Sequence, residues 1–426
     1  MRVLMIGRGG REHALLWSLS KSPKITKLFC APGNGGIASL AECVPIEEME
    51  FARIAEFSQQ EKIDLVFVSP DDSLVGGLVD YLEERGVRAY GPDRRAALIE
   101  GSKAFTKDLM HKYGIPTAAY RTFEDAEEAL SYVRTQPLPI VVKADGLAAG
   151  KGVIVARTRE EAEQAIRHMM IDGAFGQSGS QVVIEEFLEG EEMSLLAFVD
   201  GSTVRPMVPS QDHKPVFDGN RGPNTGGMGT YSPVPHIPES AVDEAVRNIL
   251  QPAADAMVKE GRPFRGVLYA GLIVTEQGVK TIEFNARFGD PETQVILPRL
   301  ETDLLDIIEA TLEGRLVDVE IRWSKQSAVC VILASEGYPG SYPKGRIISG
   351  ADKVQETLVF HAGTALQAGH LVTGGGRVLG ITALGDSMEE ARKNAYRQAG
   401  YISFEGMHYR TDIAKKACEV IASRAE

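Results

Sequence analysis

Short apolar runs separated by stretches of helical periodicity fill the first hundred residues. Val3–Ile6, Leu28–Ala31, Leu65–Val68 and Ala89–Tyr90 read as strands, which predicts repeated βαβ units and a parallel sheet. Asp64-Leu-Val-Phe-Val-Ser69 has no polar alternation, as expected of a strand covered on both faces. Between Glu100 and Ala119 a helix carries Gly101-Ser-Lys-Ala-Phe-Thr-Lys107, and Gly114-Ile-Pro116 breaks it. Thr122-Phe-Glu-Asp125 and Thr158-Arg-Glu-Glu161 both fit a capping box, so each predicts a helix, with strands Ile140–Ala144 and Gly152–Ala156 between them. This small α+β unit closes with Val182–Leu188. Strands then follow at Ser194–Val199, Gly266–Thr275 and Val279–Asn285, the last two forming a hairpin around Glu276-Gln-Gly278. A final region has strands Ala328–Ala334, Leu358–His361 and Arg377–Thr382, and a helix opened by Ser387-Met-Glu-Glu390.

The expected architecture is a multidomain α/β and α+β chain: a parallel-sheet domain over residues 1–101, a central domain over 102–325 with a small lid near 120–190, and a mixed α/β domain over 326–426. A length of 426 residues is consistent with several cores. With 46 basic and 59 acidic residues the net charge is −13, which disfavours nucleic acid as a partner. The apolar start Met1–Gly7 is too short for a signal peptide or a membrane span. Cys30, Cys43, Cys330 and Cys418 show no Cys-x-x-Cys spacing, which fits a reducing cytoplasm and no zinc site.

Five segments carry candidate chemistry. Gly7-Arg-Gly-Gly-Arg-Glu-His13 runs from a strand into a helix whose free N–H groups suit a phosphate. A dinucleotide fold would need glycine where Glu12 stands, and an acidic ribose ligand where Pro32-Gly33 stands. His13 reads as a packed residue. Lys143-Ala-Asp-Gly-Leu-Ala-Ala-Gly-Lys-Gly152 is glycine-rich but lacks Walker A spacing, and it joins two strands; it predicts a flap laying amides and lysine charge over phosphates. In Thr281-Ile-Glu-Phe-Asn-Ala-Arg287 the strand period puts Glu283, Asn285 and Arg287 on one face, roughly 7 Å apart. A carboxylate and an amide oxygen so placed can share magnesium on nucleotide phosphates, while arginine meets the transferring group. Val183–Glu192 offers backbone for a base edge and Glu192 for ribose. Gln211-Asp-His-Lys214 with Gly222-Pro-Asn-Thr-Gly-Gly-Met-Gly229 permits close backbone approach to a ligand.

Taken in order, these strings, with Gly9–Ala14, Pro32-Gly-Asn34 and Phe288-Gly-Asp-Pro-Glu-Thr-Gln294, resemble the ATP-grasp superfamily and, within it, the glycinamide ribonucleotide synthetases. The resemblance spans essentially the whole chain. It implies a Rossmann-like N-terminal domain binding phosphoribosylamine, an ATP-grasp central domain with its lid, and ligation of glycine to 5-phosphoribosylamine through glycyl phosphate. Another ATP-grasp carboxylate–amine ligase, or a carboxylase acting on a phosphoribosyl substrate, is the alternative. ATP is implied against Lys103, Lys143, Gly146, Gly150, Lys151, Glu185, Glu186, Phe187, Leu188 and Glu192. Magnesium, or manganese in its place, is implied on Glu283 and Asn285. The substrates are implied at Gly9, Gly10, Arg11, Glu12, Pro32, Gly33, Asn34, Asp212, Lys214, Asn224, Thr225, Gly226, Arg287 and Asp290, with Arg287, Lys143 and Asp290 acting in catalysis. A monomer handling small molecules is expected. Arg8, Ser69–Leu74 and Pro215 depart from the family pattern, and Leu268-Tyr-Ala-Gly-Leu272 lacks a second metal-binding carboxylate.

Overall fold

The computed structural model describes residues 1–148 and 151–424. β1 (Arg2–Gly7), β2 (Lys27–Pro32), β3 (Glu42–Cys43), β4 (Leu65–Val68) and β5 (Ala89–Tyr90) form an all-parallel sheet in the order β3-β2-β1-β4-β5. Its central strands are buried on both faces, which is why their sequences are continuous apolar runs. The two-residue β3 has no such run and gave no signal in the pattern.

The helical stretch after this sheet is two helices, Arg94–Gly101 and Lys103–Tyr113, divided at Ser102. Ser102 leaves the helical conformation, and its Oγ accepts the Phe105 N–H at 3.1 Å, starting the second helix afresh. Gly114, with φ 66°, ends that helix in a left-handed conformation suited to glycine.

The small lid is an antiparallel sheet, β6-β9-β7-β8, made of β6 (Tyr120–Phe123), β7 (Ile140–Ala144), β8 (Val153–Ala156) and β9 (Val182–Glu186). Thr158 and Glu161 form the expected capping box. Thr122 does not cap the other helix. It pairs with Val183 inside β6, and Asp125 takes over the cap by accepting the Glu128 N–H at 2.9 Å.

The central sheet is also antiparallel, β11-β10-β16-β17, from β10 (Glu191–Asp200), β11 (Val204–Pro206), β16 (Arg265–Thr275) and β17 (Gly278–Asn285). The last sheet runs β12-β15-β18-β22-β19, with β12 (Gln211–Asp212), β15 (Gly229–Ser232), β18 (Ser327–Ala334), β19 (Leu358–His361) and β22 (Arg377–Gly385). Two strands flanking the Gly222–Gly229 loop therefore belong to the sheet built by the C-terminal residues. That shared sheet sets where the loop sits. Among the described residues no helix is long and apolar enough to cross a membrane.

Candidate active site

A cavity of about 490 Å³ opens where the lid, the central sheet, the N-terminal helix and the C-terminal sheet meet. Its floor is the end of β17. Opposite Gly271 and Leu272 the strand carries a bulge at Ile282, and the strand stops at Asn285, so Arg287 stands in the following turn and not on the strand face predicted for it. The three groups nonetheless converge: Arg287 Nη2 donates to Asn285 Oδ1 at 3.3 Å, and Glu283, Asn285 and Arg287 all line the cavity.

Burial opposes ionisation of Glu283, yet Lys214, Lys143, Lys103 and Arg287 hold its carboxyl below the ordinary range. Glu283 is thus a carboxylate, beside the amide of Asn285. Two oxygen donors of this kind suit a hard divalent cation that keeps several waters and binds phosphates as well. Among the described residues no three His, Cys, Asp or Glu side chains gather as a closed metal cage.

A wall of lysines lines the same cavity. Lys143, next to the flap, lies 2.9 Å from Glu185 Oε1 and donates to Ile282 O at 3.1 Å. Lys107 approaches the other oxygen of Glu185 at 2.9 Å. Burial pushes the Lys107 ammonium down to about 8, against the pull of Glu185. Lys103 donates to Gly146 O at 3.1 Å, and burial also lowers its pKa. Lys151 completes the wall, whereas Gly150 lies outside the described residues.

The base of the flap is stapled to the helix that carries Lys103. Asp145 Oδ1 accepts from Ala104 N–H at 2.7 Å and from Ser102 Oγ at 3.1 Å, and Asp145 O accepts from Lys103 N–H at 3.0 Å.

Toward the N-terminal domain, Arg11, Asp71 and Asp290 line the cavity. Gly9 and Gly10 open the helix Gly10–Leu19 as predicted, but carboxylates already meet its end: Gly9 N–H donates to Glu12 at 2.6 Å and Arg11 N–H to Asp290 at 3.2 Å. Glu12 is buried and also accepts from Ser69 Oγ at 2.5 Å. Asn34 uses its amide to tie Arg8 O and His361 O, both at 2.8 Å, and so fixes the Pro32-Gly33-Asn34 turn. His13 is packed, its Nδ1 accepting the His361 N–H at 2.8 Å, and burial takes its pKa down to about 3. Arg8 turns away to Glu47 and Glu48.

The structure brings Arg11, Lys103, Lys143, Lys151, Glu185, Asp212, Lys214, Asn224, Thr225, Gly226, Glu283, Asn285, Arg287 and Asp290 to one cavity. Gly9, Gly10, Glu12, Pro32, Gly33, Asn34, Gly146, Glu186, Phe187, Leu188 and Glu192 are not among its lining residues. Glu186 instead accepts the Ala119 N–H at 2.9 Å, and Glu192 lies 3.7 Å from Lys214. Other lining residues escaped the motif reading: Asp71, Glu100, Lys107, Tyr269, Glu292, Tyr338 and Arg377. Lys107 and Glu292 sit inside strings already singled out, and Glu100 immediately precedes one. Arg377 carried no local signal; its Nη1 donates to Gly226 O and Asp290 O, both at 2.8 Å.

Family models of phosphoribosylglycinamide synthetase match this chain in three consecutive parts: the N domain at residues 1–100, the ATP-grasp domain at 101–293 and the C domain at 328–416. The chain belongs to the phosphoribosylglycinamide synthetase family. It is 52% identical over 414 residues to a phosphoribosylamine–glycine ligase of Caldanaerobacter subterraneus subsp. tengcongensis, covering 97% of this chain and 99% of the relative. A phosphoribosylamine–glycine ligase of Halalkalibacterium halodurans is 50% identical, covering 100% of this chain and 98% of the relative. The crystal structure of a phosphoribosylamine–glycine ligase from Thermotoga maritima superposes with a TM-score of 0.83 at 35% identity, covering 97% of this chain and 100% of that one. Members of this ATP-grasp family use ATP with divalent metal ions.

Proposed function

We propose that this chain joins glycine to 5-phosphoribosylamine at the expense of ATP, giving glycinamide ribonucleotide, ADP and phosphate. The observation that carries the reading is that a floor of Glu283, Asn285 and Arg287 and a wall of Lys103, Lys107, Lys143 and Lys151 line one cavity. The phosphates of ATP lie between these two walls, with the nucleoside toward the exit of β9 at Glu185–Leu188 and Glu192. Glu283 and Asn285 would hold magnesium, which neutralises phosphate charge and polarises the transferring group when bound.

The chain's own residues position and neutralise. A glycine carboxylate oxygen attacks the γ-phosphorus, forming a new P–O bond as the bond to the β-phosphate bridging oxygen breaks and ADP leaves. Arg287, held in place by Glu100, faces the oxygens on which charge accumulates. The amine nitrogen of phosphoribosylamine then attacks the carbonyl carbon of glycyl phosphate. The C–O bond to phosphate breaks, phosphate departs, and the nitrogen gives up a proton. A carboxylate is a poor electrophile until it carries such a leaving group, and the flap excludes water while it does. The amino sugar enters at the Arg11–Asp290 end of the cavity, next to the start of the helix Gly10–Leu19. Four free cysteines fit a reducing cytoplasm.

The test is ADP release with glycine and freshly generated phosphoribosylamine, each omitted in turn. Dependence on both is expected. Release driven by bicarbonate in place of glycine would instead mark a carboxylase.

A further inference from the structure

Between Lys214 and Thr225 the chain folds into a ribbon of two short antiparallel strands, β13 (Pro215–Phe217) and β14 (Arg221–Asn224), which form a sheet of their own. A lone two-stranded ribbon keeps its shape poorly without outside support. Apolar anchoring is slight here: Val216 is buried with Met228 and Ala334, but Phe217 is half exposed. Both ends of the ribbon nonetheless reach the cavity, Lys214 at one and Asn224, Thr225 and Gly226 at the other. The ends are tied together, since the Lys214 carbonyl accepts from the Thr225 N–H at 2.8 Å and from the Thr225 hydroxyl at 2.7 Å. The reach of Lys214 into the cavity therefore depends on what holds the ribbon outside it.

That support comes from residues 408–412, near the other end of the chain. Arg410 is 1% exposed, and it does not line the cavity. Its Nε and Nη2 each donate at 2.8 Å to one oxygen of Asp412, a paired contact that neutralises the buried charge. The rest of the guanidinium spans the ribbon from base to turn: Nη1 donates to Pro215 O at 2.9 Å, and Nη2 donates to Asn220 Oδ1 at 2.9 Å. Asp412 also accepts the Gly219 N–H at 2.9 Å, Asp218 accepts the Thr411 N–H at 2.8 Å, and His408 Nε2 lies 3.0 Å from Val216 O. Arg410 is itself held from behind, where the Tyr396 hydroxyl donates to its carbonyl at 2.7 Å and Arg392 Nη2 donates to Thr411 O at 2.7 Å. A rigid planar fork with five donors can join three acceptors at fixed spacing, which neither an ammonium nor an apolar side chain of similar volume can do.

We propose that Arg410 is a positioning residue for the ligation: it fixes the ribbon 215–224 and, through the ribbon, sets how far Lys214 reaches into the cavity. The inference rests on the ligase reading above and extends it to a residue that touches no substrate. A cavity-lining charge displaced by about 1 Å costs on the order of 10- to 100-fold in rate, so a contact this far from the chemistry is felt there.

A double-mutant cycle on the full-length chain tests this. Wild type, R410M, K214M and the double variant are compared by kcat/KM for glycine, read as ADP release at saturating ATP and phosphoribosylamine, with enough enzyme to follow a loss of about 1000-fold. R410M should lower kcat/KM by about 10-fold when Lys214 is present and by less than about 2-fold in the K214M background, where nothing is left to position. N220G keeps the Arg410–Asp412 pair and a backbone suited to the φ of 55° at that position, and removes only the amide acceptor. It should show the same pattern at about 3-fold, and it supplies the answer should R410M fail to fold. Equal losses in the two backgrounds would overturn the proposal and leave Arg410 a purely structural residue, as would undiminished kcat/KM in R410M and N220G. A wild type whose ADP release ignores glycine would instead sink the ligase reading on which the proposal rests.

Discussion

Glu100 Oε1 lies 2.8 Å from Arg287 Nη2, while its Oε2 accepts the Ala286 N–H at 2.7 Å. One buried carboxylate, from the helix just before Ser102, thus fixes both the backbone and the guanidinium of the turn that ends β17. That side chain joins the N-terminal domain to the catalytic floor, as does Arg11, whose Nη1 donates to Phe288 O at 3.0 Å.

Glu100 makes stability depend on pH in a defined sense. Burial pushes its carboxyl up to about 7 from an ordinary 4.5, with Arg287 pulling the other way. Between those values the folded chain holds more protons than the unfolded one, so this group's contribution to stability falls as pH rises through the window. Thermal midpoints measured from about pH 5 to about pH 8 should therefore drop more in the wild type than in Glu100→Gln. A parallel pair of curves would remove Glu100 as the cause.

Arg287→Ala and Glu283→Ala should each cut kcat by about 100-fold or more, as expected for groups that meet charge developing in the transition state. Their far-UV circular dichroism should stay near wild type, because neither side chain belongs to an apolar core, while Arg287→Ala lowers the thermal midpoint by leaving Glu100 without its ion-pair partner. Near-normal turnover in either variant would count against the floor as the phosphoryl-transfer site.

Asp145→Ala should raise KM for ATP and lower kcat together, by about 10-fold in kcat/KM, since it cuts two hydrogen bonds between flap and helix. Asp145→Asn keeps an oxygen acceptor at the same place and should restore most of the activity. Equal damage in both variants would mean that the charge, and not the staple, matters.

How much of this was legible in the sequence depends on how local the signal was. The parallel sheet showed itself as continuous apolar runs, and Thr158 and Ser387 as caps, because each is decided within a few residues. Thr122 was the cap that the local pattern offered; pairing of β6 with β9 takes it into a strand and leaves the cap to Asp125. Glu283 and Asn285 were readable from alternation along β17, but Arg287 reaches the site from a turn that alternation does not describe. Glu292, Tyr269 and Ser194 meet only through packing of β10, β16 and the chain after β17. Arg377 lies 151 residues from the Gly226 carbonyl it holds, a relation no local pattern carries.

That long contact makes its own prediction. Arg377→Met should loosen the Gly222–Gly229 loop and Asp290 together, raising KM for the two acceptor substrates by about 10-fold while leaving KM for ATP nearly unchanged. A selective rise in KM for ATP would place the latch at the wrong end of the cavity.

Isotope transfer tests the central claim, phosphoryl transfer to a carboxylate in this cavity, most directly. Glycine labelled with oxygen-18 in both carboxylate oxygens, turned over with ATP and phosphoribosylamine, should deliver one labelled oxygen to each inorganic phosphate, seen as a mass or phosphorus-31 NMR shift. Phosphate that carries no label would contradict an acyl phosphate and, with it, the role assigned to the lysine wall and the β17 floor.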